Sequence, residues 1–68
     1  KQSLLDIWGS GPQDIYAVGS GGLVLHFDGK TWARVETGTR ANLYGVHGRG
    51  PGDVFAVGEG GVVLHYQR

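Results

Sequence analysis

The chain has 68 residues, six Lys+Arg against six Asp+Glu, and neither Cys nor Met. A formal charge of zero lacks the clustered positive surface that nucleic acid or an anionic membrane requires, so neither partner is expected. Without Cys there is no disulfide or thiolate metal site, and a chain this short buries only about 60% of its unfolded surface, so a partner is the expected source of extra stability.

Glycine is the compositional outlier, at 14 residues. With short β-branched and aromatic runs around it, the composition reads as many strands joined by tight turns. Every window with helical apolar spacing contains Gly, so no helix is predicted. The longest apolar runs, Ile15 to Val18 and Leu23 to Leu25, fall far below the ~20 residues of a membrane helix. The chain begins at Lys1, so it is not expected to be a translation product from its first residue. An excised repeat, a processed product and an engineered piece all stay open.

Leu4 to Gly9 is the first predicted strand, with Leu5 and Ile7 on one face and Asp6 and Trp8 on the other. Gly9 to Asp14 is a turn, where Pro12 presets φ. Asp14 to Gly19 is the second strand, apolar at every position from Ile15 to Val18, so both its faces are expected to be covered. Gly19 to Gly22 makes the next loop, and Leu23 to Phe27 is the third strand. Asp28-Gly29 signals a two-residue hairpin. Thr31 to Thr37 is the fourth strand, with Arg34 and Glu36 on one face and Ala33 and Val35 on the other, as a half-solvated edge strand should be. Gly38 to Asn42 carries the chain onward.

The chain then repeats itself 39 positions later. Leu43 to Gly48, Asp53 to Gly58 and Val62 to Tyr66 copy the first three strands. Between Leu4–Phe27 and Leu43–Tyr66, 13 of 24 positions are identical, without a gap. The sequence ends at Arg68 before a second copy of the fourth strand. Four-stranded meanders of about 40 residues in tandem, apolar on both faces, are the units of a β-propeller. The expected architecture is an all-β propeller fragment of about two four-stranded antiparallel blades. Residues 1–39 form the first blade, and residues 40–68 form a second that lacks its outer strand.

The segment Gly11-Pro12-Gln13-Asp14-Ile15-Tyr16-Ala17-Val18-Gly19, its copy at residues 50–58, and Leu25-His26-Phe27-Asp28-Gly29-Lys30-Thr31-Trp32 carry a resemblance. They resemble the tandem propeller repeats of large bacterial proteins. They are also similar to the repeats of the photosystem II assembly propeller and to sialidase-type Asp-box repeats. The Asp-box spacing departs by one residue between Asp28 and Trp32, and His26 stands at its Ser position. The resemblance implies that Asp28 caps its turn and Trp32 packs beneath it. It also implies assembly, because two blades cannot close a ring of roughly 4–8 blades. The partner is expected to be further copies of this chain, giving six to eight blades, or the remainder of a longer propeller.

For chemistry, His26 and His65 hold one repeat position. They read as metal or proton-handling imidazoles, or, more simply, as structural histidines bonded to a turn or strand. Asp14 and Asp53 each follow a Gly-Pro turn, where accepting turn backbone N–H groups is the expected role. Positions that differ between the copies are the more informative ones: Asp6/Gly45, Trp8/His47, Leu5/Tyr44, Ser10/Arg49 and Ser20/Glu59. Trp8, Ser10, Tyr44, His47 and Arg49 are the candidate ligand-binding residues, with aromatic rings suited to a glycan. Simple divergence at exposed loops is the bland alternative.

No metal, cofactor or catalytic residue is expected. The glycine-rich loops lack the Lys and following helix of a phosphate cradle, and no Ser is placed with a His and an acid in a nucleophile motif. The expected function is a self-assembling scaffold or binding module, not an enzyme. Part of a glycosidase- or lyase-type propeller enzyme, depending on Asp6 or His47, is the alternative.

Overall fold

The computed structural model describes residues 3–67, so the outer ends of the two expected units, residues 1–2 and 68, lie outside it. The described residues form seven strands: β1 (Leu4–Gly11), β2 (Asp14–Gly19), β3 (Val24–Phe27), β4 (Trp32–Arg34), β5 (Leu43–Gly50), β6 (Asp53–Gly58) and β7 (Val63–Gln67). They build two antiparallel sheets, of order β1-β2-β3-β4 and β5-β6-β7. The all-β expectation holds, with no α-helix among the described residues.

Several boundaries differ from the sequence reading, each for a local reason. β1 and β5 run two residues past the expected Gly9 and Gly48. A register irregularity there lets Gly11 pair with Asp14, and Gly50 with Asp53, across a two-residue turn. The loops after β2 and β6 close as single 3-10 turns, Ser20–Gly22 and Glu59–Gly61. Their glycines sit at positive φ, 69° at Gly21 and 78° at Gly22, a region glycine enters without a steric cost. Leu23 N–H donates to Ser20 O at 3.3 Å, which delays β3 to Val24.

The turn between β3 and β4 has four residues, not two. Phe27 pairs with Trp32, and Asp28 Oδ1 accepts the backbone N–H groups of Lys30 and Thr31 at 2.9 Å each. β4 itself is only three residues long, against the seven expected. Val35 N–H still bonds Val24 O at 2.9 Å. The Thr37 hydroxyl then donates to Gly22 O at 3.1 Å and pulls the chain off the edge.

Pairing register sorts each repeat into two faces, since directly opposed residues share one. The leading face of the first sheet carries Asp6, Trp8, Tyr16, Val18, Val24 and His26. Its trailing face carries Ile7, Ile15, Ala17, Leu25 and Phe27. By the same register the second sheet has Gly45, His47, Phe55, Val57, Val63 and His65 leading, with Val46, Gly48, Val54, Ala56, Leu64 and Tyr66 trailing.

The leading face of the first sheet packs on the trailing face of the second. Tyr16, Val18 and Val24 meet Leu43, Val46, Val54 and Ala56 in one core, with Trp8, Val35, Val62 and Leu64 at its margin. Trp8 lies so close over Gly48 that a Cβ there would meet its ring at 2.2 Å. Tyr16 and Tyr66 tilt together at 6.0 Å. Asp6 Oδ2 crosses the joint to accept Val46 N–H at 2.9 Å, and Gly21 N–H donates to Asn42 Oδ1 at 2.9 Å.

Full burial of one such side chain contributes roughly 1.5–3 kcal/mol, so the joint outweighs any single surface contact. Leu43 is fully buried, whereas Leu4, at the same repeat position, is 57% exposed. Leu43→Ala should therefore cost about 2–5 kcal/mol. Leu4→Ala should stay within about 0.5 kcal/mol. Urea unfolding followed by far-ultraviolet circular dichroism measures the difference.

Candidate functional site

Each repeat carries an Asp–His pair twelve residues apart, on the first and last strands of a β-hairpin. His26 Nε2 donates to Asp14 Oδ1 at 2.6 Å, and His65 Nε2 to Asp53 Oδ1 at 2.6 Å. Each of these aspartates, expected to accept turn N–H groups, bonds a histidine side chain. The imidazoles are fixed a second time by stacking. His26 lies on Tyr16 at 4.4 Å, and His65 lies flat on Phe55 at 4.2 Å.

The other carboxylate oxygen is used differently in the two copies. Ser10 Oγ donates to Asp14 Oδ2 at 2.5 Å. Arg49 Nε donates to Asp53 Oδ2 at 3.0 Å, with Nη2 also 3.0 Å away. The Arg49 guanidinium carbon sits 5.6 Å from the Phe55 ring centroid, within cation–π reach. Ser10 and Arg49, singled out because they differ, thus serve one repeated task. Ser20 and Glu59 do the same. The Ser20 hydroxyl accepts Ser3 N–H at 2.9 Å, and Glu59 Oε1 accepts Asn42 N–H at 3.4 Å.

Chain order within the first cluster is hydroxyl, carboxylate, imidazole. The acid stands in the middle, so the histidine does not bridge hydroxyl and carboxylate as a nucleophile-activating base would. Among the described residues, no three His, Asp or Glu side chains stand close enough to hold a metal ion.

The remaining candidates are placed as follows. Trp8 and His47 come together, with ring centroids 6.2 Å apart and planes at 56°. Trp8 is half-buried in the joint over Gly48. His47 and Arg49 are exposed on the second sheet. Tyr44 is 57% exposed at a register irregularity of β5. Sequence reasoning missed the Asp6–Val46 bridge and the assignment of His to Asp. The second had a visible signal, because both residue types recur at one fixed separation.

Asp53 is held below the ordinary carboxylate range, first by the His65 hydrogen bond and further by Arg49. Asp28 is lowered by the N–H groups of Thr31 and then Lys30. A depressed folded value stabilises the fold at pH above the unfolded carboxylate value of about 3.9. That contribution is lost as pH falls through the folded value. Melting temperature should therefore drop below about pH 4. Asp53→Asn should lower it at neutral pH and make the acid decline shallower, as read by thermal melts across pH.

Searches against protein-family models, curated proteins and solved structures return no match for this chain.

Proposed function

We propose that this chain is a self-assembling β-propeller-type module, two blades long, whose copies stack leading face to trailing face. The observation that carries this reading is the orientation of the internal joint. Both repeats point the same way, so one buried joint leaves one trailing face and one leading face uncovered. Such a head-to-tail contact generates a ring if the rotation closes and a filament if it does not.

The uncovered faces keep the composition of the covered ones. Ile7, on the free trailing face, is 62% exposed, and Val63, on the free leading face, is 63% exposed. Both would be costly choices for a surface that stayed wet. By repeat equivalence, His47 of one copy lies over Gly9 of the next, as Trp8 lies over Gly48. Phe55 faces Phe27 there, as Tyr16 faces Tyr66. Three or four copies would give six or eight blades, within the roughly 4–8 that propellers use.

The finished assembly serves as a scaffold or binding module. Tyr44 and the exposed side of Arg49, itself bonded to Asp53, supply the aromatic and polar groups that a glycan would meet, while His47 enters the joint between copies and Trp8 and Ser10 are engaged within the chain. Light scattering should report a mass that is a multiple of 7.2 kDa. Ile7→Lys should reduce it to the monomer while the β-sheet circular dichroism persists. A wild-type chain that is folded and monomeric would sink the proposal.

A further inference from the structure

The outer edge of β7 offers a second kind of site, for a strand and not a face. In the first sheet the edge of β3 is covered. Leu25 pairs with Arg34, His26 with Ala33 and Phe27 with Trp32. Val35 N–H adds a further bond to Val24 O. The equivalent edge on β7, at Leu64, His65 and Tyr66, carries no strand among the described residues. An uncovered edge presents backbone donors and acceptors ready for pairing.

A cleft of about 150 Å³ borders this edge, between the two sheets. Tyr16, Val54, Leu64 and Tyr66 give it apolar walls, and Val35 and Glu36 from the segment after β4 close one side. Leu64 and Tyr66 belong to the trailing face, which turns toward the first sheet. A strand pairing with β7 in the register of β4 would project the residues opposite Tyr66 and Leu64 in the same direction, into the cleft. At those two positions β4 carries Trp32 and Arg34. An aromatic ring opposite Tyr66 would meet Tyr16 and Tyr66. A basic side chain opposite Leu64 would enter the cleft that Glu36 helps to line.

We infer that the β7 edge and its adjoining cleft bind an extended peptide of aromatic–small–basic pattern, paired antiparallel to β7. Main-chain bonds supply the affinity, and the two inward side chains supply the selectivity. Both the edge and the cleft belong to one copy and do not depend on how copies stack.

The test uses the 68-residue chain and a labelled synthetic peptide covering residues 30–36, Lys-Thr-Trp-Ala-Arg-Val-Glu. Fluorescence anisotropy should show saturable binding, and hydrogen exchange should show new protection at residues 63–67. Replacing the peptide's Trp by Ala should weaken binding at least about tenfold, as loss of a buried aromatic anchor does. Glu36→Arg in the protein should weaken binding of this peptide and favour a peptide with Glu in place of its Arg. Backbone N-methylation of the peptide on its pairing edge should abolish binding. No saturable binding, or binding indifferent to N-methylation, would overturn the inference. So would protection, in the peptide-free chain at concentrations where it is oligomeric, of the β7 amides that point away from β6, since a second copy would then be the occupant.

Discussion

Tyr16, Val18 and Val24 on one sheet, and Leu43, Val46, Val54 and Ala56 on the other, remove each other's apolar surface from water. That exchange gives the two small sheets, of four and three short strands, a shared core. Everything else in the chain is arranged to let these two faces approach. Gly48 has no side chain because the Trp8 ring occupies the space. Asp6 reaches across to Val46 N–H, so a backbone donor at the joint is satisfied where water is excluded. The close approaches of Gly19 to Ser3 O and of Gly58 to Asn42 O anchor each repeat's second strand to the start of its first.

The two repeats show how one bond can be kept while the side chain that makes it changes. The carboxylate after each Gly-Pro turn has an imidazole on one oxygen and a second donor on the other. That donor is a hydroxyl in one copy and a guanidinium in the other. The residue opening each 3-10 turn likewise accepts a backbone N–H, through a hydroxyl or a carboxylate. Divergence between repeats is therefore an incomplete guide to ligand contact. Of the positions chosen on that ground, Ser10 is engaged in such a bond, Trp8 is packed in the joint, and Tyr44 and His47 remain exposed.

Much of the fold was legible in the sequence because strand period and turn chemistry are local. The placing of Ile7 and Trp8 on opposite faces and the Gly-Pro turns follow the residues, and Asp28 caps its turn as expected although that turn spans four residues and not two. What the sequence left open was decided by neighbours distant along the chain. Period two separates two faces but does not say which one meets another sheet, so Leu4 and Leu43 look alike and end in opposite environments. The length of β4 depended on Thr37 finding Gly22 O. The partners of Asp14 and Asp53 were missed because a turn offered nearby N–H groups, whereas the histidine arrives only once the hairpin has formed. The first sheet's edge met its expected strand. The candidate site was legible as a set of residue types, and much less as a set of contacts.

The two tryptophans fall in the first repeat and in contrasting surroundings. Trp8 lies half-buried at the joint, 6.2 Å from the His47 ring, while Trp32 sits against Phe27 on the outer hairpin, about half in water. Light emitted by the chain therefore has two sources reporting different events. Parting of the sheets alters the first, and fraying of the outer hairpin alters the second. Intrinsic emission, resolved by lifetime or by wavelength, can tell opening of the joint from loss of a single hairpin without any added label.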